Sequence, residues 1–219
     1  DEPGNEVSVK FAGQTKTTVV DKNGDWMVKL DPLRAAGEER GFEVRNNKGK
    51  SISLKGVLVG EVWFSSGQSN MVWTASKSMC NELAKQLTSS KEDVPIREIN
   101  INTVSALYPQ KRAASEDGWK KASAARDFSA LSLSFAHELY KELNVPIGIL
   151  LSAHSNTGIE AFTQRQAIES HRELQNDKDL IRDADPLTEQ GRKAFKQYYD
   201  DLKAWQDVAG HTAEAGGKV

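Results

Sequence analysis

The sequence predicts an α/β fold, in which a small antiparallel β-rich segment is followed by a mostly parallel sheet with helices on both faces. Three observations carry this. Residues 6–56 hold short runs of alternating apolar and polar side chains, separated by turn-forming Asn and Gly. From Val57 onward apolar strands alternate with helix-compatible stretches. An apolar helical stripe over 128–143 leads directly into the apolar run 145–151, which is half of a right-handed parallel crossover. The expected division is a small β-sandwich-like segment over 1–56, the front of the α/β domain over 57–162, and a helical insertion or arm over 163–219.

Composition narrows the class. The 219 residues carry a net charge of −2, with 38% hydrophobic and 27% charged side chains. That is enough apolar material for a core in a water-exposed protein. No run reaches the length that crosses a bilayer, so no membrane is expected as a partner. Balanced charge argues against nucleic acid. The single cysteine, Cys80, cannot form an internal disulfide and has no metal-ligand cluster beside it, so it reads as packing. The opening Asp1-Glu2-Pro3-Gly4 lacks Met and an apolar leader, as expected after removal of a signal peptide or for a piece of a longer chain.

In the first segment Val7, Val9 and Phe11 alternate with polar neighbours. Thr17–Val20 leads into Asp21-Lys22-Asn23-Gly24, and Trp26, Val28 and Leu30 alternate again, which reads as a hairpin because both turn positions favour positive φ. Phe42–Val44 and Ile52–Leu54 flank a second turn, Asn46-Asn47-Lys48-Gly49. Phe11, Trp26 and Phe42 read as core.

Val57–Phe64 reads as a buried strand that stops at Ser65-Ser66-Gly67. A strand ending in Gly and small polar residues is where open α/β sheets place their chemistry. Gly67 permits a sharp turn, and Ser69 then lies just past the strand's carboxyl end. Spacing alone leaves two readings: Ser69 is a nucleophile whose own N–H faces an oxyanion, or it only caps a helix. Beyond it, Met79–Leu87 reads as a short helix and Ile96–Val104 as a strand with Ile99, Ile101 and Thr103 on one face. Tyr108-Pro109-Gln110 carries no assigned chemistry, and 111–126 reads as a surface loop. Asp127 is placed to cap a helix whose stripe is Phe128, Leu131, Phe135, Leu139 and Leu143, with His137 off the stripe. Val145–Leu151 reads as a buried strand. In 163–219, Ala194, Tyr198, Leu202 and Trp205 form a further stripe, while Asp207 and His211 read as solvated ahead of a Gly-rich tail.

The block Gly60-Glu61-Val62-Trp63-Phe64-Ser65-Ser66-Gly67-Gln68-Ser69-Asn70-Met71 resembles the first signature of the sialate O-acetylesterase family, a branch of the SGNH hydrolases. The resemblance implies a flavodoxin-like parallel sheet, incomplete in this chain, with Ser69 as nucleophile and Gly67, Gln68 and Asn70 shaping the site. A second block of the family, Gly-Gly-Thr followed two residues later by Glu-Ala-Trp, corresponds here to Ser155-Asn156-Thr157 and Glu160-Ala161-Phe162. The two glycines are replaced. The family draws an oxyanion donor from this loop, which falls on Asn156 or Ser155 beside the N–H of Ser69. Asn reaches left-handed backbone more readily than most residues, so the donor is expected to survive. His154 reads as structural.

A serine esterase also needs a base. The family takes it from an Asp-x-x-His block, and none of His137, His154, His171 and His211 has Asp three residues earlier. The family's Gln-Gly-Glu block is absent too. The chain therefore reads as the front of a longer protein, with the base on the remainder or on a second chain. The resemblance implies an exported (extracellular or periplasmic) carbohydrate esterase that removes O-acetyl groups from sialic acids or polysaccharides, with no metal or organic cofactor. The altered glycines and the missing histidine leave a second reading, a non-catalytic carbohydrate-binding relative.

Overall fold

The computed structural model describes residues 1–104, 106 and 108–214, the last five of these by backbone alone. The Gly-rich tail and the His211 side chain lie outside the described residues. The chain divides into two compact units. One comprises Asp1–Thr103 and Ala114–Ser155, the other Val104–Ala113 and the described part of Asn156–Val219.

The first unit opens with a four-stranded antiparallel sheet, order β2-β1-β3-β4, built from β1 (Glu6–Phe11), β2 (Gln14–Val19), β3 (Ala36–Asn46) and β4 (Ser51–Val59). Alternation sets its register. Val9 faces Val44 and Phe11 faces Phe42, the two rings meeting at 5.4 Å. Among the described residues this is one sheet rather than a sandwich. Asn23-Gly24 does form a turn, with Gly24 N–H donating to the Asp21 carbonyl, but residues 26–30 pair with no strand. Trp26 is accordingly 39% exposed instead of in the core. The hairpins close elsewhere, at Ala12-Gly13 and at Asn46–Lys50.

The strand expected over 57–64 is two strands. β4 ends at Val59, and β5 (Glu61–Gly67) begins a second sheet. Gly60 is the joint between them. A Cβ there would collide with the carbonyl of Pro146, which accepts the N–H of Glu61 at 2.9 Å. Only glycine fits that approach. Arg97 and Lys121 both pair with Glu39, at 2.6 and 2.7 Å, tying the two sheets together; Lys121 holds the Glu39 carboxyl below its usual range.

Past β5 come α1 (Ser69–Val72), α2 (Asn81–Ser89), β6 (Ile96–Asn100), β7 (Lys120–Lys121), α3 (Ala130–Leu143) and β8 (Ile147–Ala153). The sheet order is β5-β8-β6-β7. β5, β8 and β6 are parallel, and β7 is an antiparallel edge. The expected loop over 111–126 thus contains a strand and a 3₁₀ turn, Ala122–Asp127, with Ala122 and Ala125 buried. β6 stops at Asn100, short of Val104, and its inward residues are Ile96 and Glu98 rather than Ile99.

The core lies between the sheet and its helices. Ile96, Ile147, Ile149 and Leu151 pack with Phe128, Leu133 and Ala136 from the α3 region and with Ala84 and Leu87 of α2. The predicted stripe is buried in part: Phe128 lies in the core and Leu139 packs against it, while Leu131, Phe135 and Leu143 are exposed and Leu133 and Ala136 are buried in their place. Ser129, not Asp127, caps the helix, its side chain accepting from Ser132 N–H. β5 is an edge strand with Val62 and Phe64 60% and 66% exposed, so it is not the buried strand the sequence suggested. Cys80 is a free thiol packed against this core, 3.0 Å from Ser134 Oγ.

The second unit is helical: α4 (Arg165–Ser170), α5 (Gln175–Ala184) and α6 (Glu189–Glu214). Its anchor is Asp185, which is 3% exposed. Asp185 accepts from Tyr108 Oη at 2.8 Å, from Arg165 at 3.0 Å and from Leu187 N–H at 2.9 Å. Tyr198 and Trp205 on α6 remain exposed.

Candidate active site

The site begins where β5 ends. Gly67 takes φ +146°, a conformation that favours glycine, and is followed by Gln68 in extended backbone. Ser69 starts α1 and is half-buried, while Gln68 and Asn70 are exposed. The turn is closed by Met71 N–H donating to the Gln68 carbonyl at 2.9 Å and Trp73 N–H donating to the Ser69 carbonyl at 3.2 Å.

β8 runs parallel to β5 with Gly67 opposite Ala153, so both chains leave the sheet at the same edge. One further hydrogen bond extends the pairing past the strands, from His154 N–H to the Gly67 carbonyl at 3.0 Å. His154 thus contributes its backbone to this edge, and its side chain is exposed. Ser155 follows immediately. Asn156 has φ +57°, the left-handed conformation its residue type was expected to reach. The glycine replacements therefore do not prevent that backbone geometry.

Neither histidine of this unit is hydrogen-bonded to the Ser69 hydroxyl: His137 pairs with Glu138 at 3.4 Å, and His154 is held through its backbone. Among the described residues there is no cluster of three His, Cys, Asp or Glu side chains that could hold a metal ion. No helix among them is long and apolar enough to cross a membrane.

Behind the turn lies a group that the sequence reading missed. Glu98 is 4% exposed, and both its oxygens accept from Ser129 N–H at 3.2 Å. Burial pushes its carboxyl up to about 7, against the opposing pull of that N–H and of Lys120. Ser129 Oγ and Ser132 Oγ in turn donate to Met71 Sδ, at 3.6 and 3.5 Å. Little in the sequence signals it, because with Ile99 and Ile101 taken as the apolar face Glu98 falls among the polar residues; the structure turns Ile96 and Glu98 inward instead.

Comparison with known proteins bears on the same residues. No family model matches the sequence. The sialate O-acetylesterase of Rattus norvegicus is 29% identical over 173 residues, which is 70% of this chain and 30% of that protein. The Homo sapiens sialate O-acetylesterase is 27% identical over 169 residues. The chain is similar to the sialate O-acetylesterases over about 70% of its length. A crystal structure of a carbohydrate acetylesterase from Xanthomonas citri is similar as well. It matches with a TM-score of 0.70 and 29% identity, over 80% of this chain and 39% of that one. The chain spans about 30% of the length of the curated relatives it matches.

Proposed function

We propose that this chain carries the nucleophile of a serine esterase that removes O-acetyl groups from carbohydrates, within an SGNH-type, flavodoxin-like domain completed by further chain. Ser69 Oγ attacks the acetyl carbonyl while a histidine from outside these residues takes its proton. The N–H of Ser69 and one from Ser155 or Asn156 hold the oxyanion. The same histidine then returns the proton to the departing sugar oxygen. Water adds to the acetyl-enzyme and releases acetate, freeing Ser69. Gly67, Gln68 and Asn70 shape the pocket. No metal or organic cofactor enters this chemistry.

The observation that carries the reading is the Gly67–Ser69 turn at the shared carboxyl edge of β5 and β8. It stands in a block that resembles the esterase signature, in a chain related to esterases. Acetylated sialic acids or polysaccharides are the expected substrates, and an extracellular or periplasmic setting suits them.

Labelling of the full-length protein with a fluorophosphonate tests the nucleophile. Adduct mass on the peptide containing Ser69, lost in Ser69→Ala, is the expected result. Equal labelling of the two proteins, or none in either, removes the claim.

Replacement of both loop glycines by Ser155 and Asn156 favours one rival, a carbohydrate-binding relative without turnover. Hydrolysis of p-nitrophenyl acetate by the full-length protein, absent in Ser69→Ala, excludes it.

A further inference from the structure

A carboxylate buried in the layer between sheet and helix is costly unless something needs it there. Glu98 points inward from β6 and spends both oxygens on one backbone donor, Ser129 N–H. That donor sits in a segment that grips the residues after Ser69 at several points. Ser129 Oγ and Ser132 Oγ reach Met71 Sδ. Ala130 N–H donates to the Trp73 carbonyl at 2.8 Å, and Ala75 N–H donates to the Phe128 carbonyl at 2.8 Å. Thr74 and Ser129 form an isolated bridge. The helix α1 has four residues and none of them is fully buried, so its own packing holds it weakly.

We infer that Glu98 is a positioning residue for the Ser69 turn, fixing Ser129 so that residues 128–132 hold Met71 and Trp73–Ala75 in place. The catalytic consequence rests on Ser69 being the nucleophile; the clamp itself does not.

Amide hydrogen exchange in the full-length protein, corrected for intrinsic rates, reads the clamp directly. Glu98→Leu removes the acceptor, and exchange over 69–75 is expected to rise about ten-fold while that over 6–19 stays unchanged. Glu98→Gln keeps an acceptor and is expected to stay within about three-fold of wild type. Met71→Leu conserves volume but removes the sulfur, and it should loosen 69–75 by about three-fold with Glu98 intact, which keeps the question decidable should Glu98→Leu not fold. With p-nitrophenyl acetate, Glu98→Leu should lower kcat about ten-fold and leave KM within two-fold, a deficit that Glu98→Gln rescues. Unchanged exchange over 69–75 in Glu98→Leu or in Met71→Leu overturns the inference, as does an equal rise over 6–19. Loosening of 69–75 in a protein whose wild type shows no turnover sinks the esterase reading and leaves the clamp standing. Full turnover with 69–75 unaltered does the reverse.

Discussion

His154 N–H donates to the carbonyl of Gly67 at 3.0 Å, so the exits of two parallel strands are fastened one residue beyond their pairing. Gly67 itself adopts φ +146° at this exit. A side chain at 67 would have room, its Cβ meeting only the Met71 Cβ at 3.6 Å, so the constraint is conformational rather than steric crowding. Gly67→Ala is therefore expected to cost about 2 kcal/mol of stability and to slow fluorophosphonate labelling of Ser69 by about ten-fold or more. Urea melts and labelling time courses check the two effects. A fully stable, fully labelled variant would show that the turn tolerates an L residue.

Trp63 and Phe135 meet edge to face with ring centres 5.1 Å apart, joining edge strand β5 to α3. Both rings are partly exposed, so the contact is worth less than a core pair. Trp63→Ala is expected to destabilise the unit by about 2 kcal/mol, of which about 1 kcal/mol couples to Phe135→Ala in a double-mutant cycle. Additive losses would mean that the ring contact contributes nothing of its own.

Glu98 makes stability depend on pH in an unusual direction. Its carboxyl is raised from 4.5 to about 7 in the folded protein, chiefly by burial, with Ser129 N–H and Lys120 opposing. The folded state thus binds this proton more tightly than the unfolded chain does. Its contribution is complete below about pH 4.5 and is lost as pH rises through about 7. Between those limits wild type should lose about 3 kcal/mol relative to Glu98→Gln, which has no proton to release. Parallel stability–pH curves for the two proteins would show that Glu98 titrates normally.

These cases also show what the sequence could and could not reveal. The Ser69 turn was legible because a strand, a glycine and small polar residues occur together in a long block. The exposure of β5 was not, because whether an apolar strand is covered depends on what lies beside it, and β5 is an edge. The face of α3 was legible in part: Phe128 and Leu139 do meet the core, but Leu131 and Phe135 stay exposed while Ser132, Leu133 and Ala136 are buried, a rotation of the face that apolar size alone does not reveal. Glu98 fell on the polar side of the alternation read through Ile99 and Ile101, so its burial was not legible, and the distant Ser129 N–H is the partner it finds inside.

Asp185 plays the corresponding role in the helical unit, with the opposite sign. Leu187 N–H, the Tyr108 hydroxyl and Arg165 all favour its charged form and hold its carboxyl below the usual range. Arg165 also lies over the Tyr108 ring, 5.7 Å from its centre, so three side chains share one contact. Asp185 therefore stabilises its unit above its unfolded value of 3.8 and ceases to do so as pH falls through the lower folded value. Asp185→Ala leaves Arg165 and the Tyr108 hydroxyl without their common partner and frees the turn that leads into α6. Limited proteolysis within 156–214 should then quicken by about ten-fold at neutral pH, while cutting within 1–103 stays as in wild type. Asp185→Asn keeps an acceptor for Tyr108 but loses the charge for Arg165, so it should fall between the two. Cleavage rates in the order wild type, Asn, Ala at pH 7, with wild type and Asn converging as the solution is made acidic while Ala stays fastest, are the pattern that a buried carboxylate anchor requires.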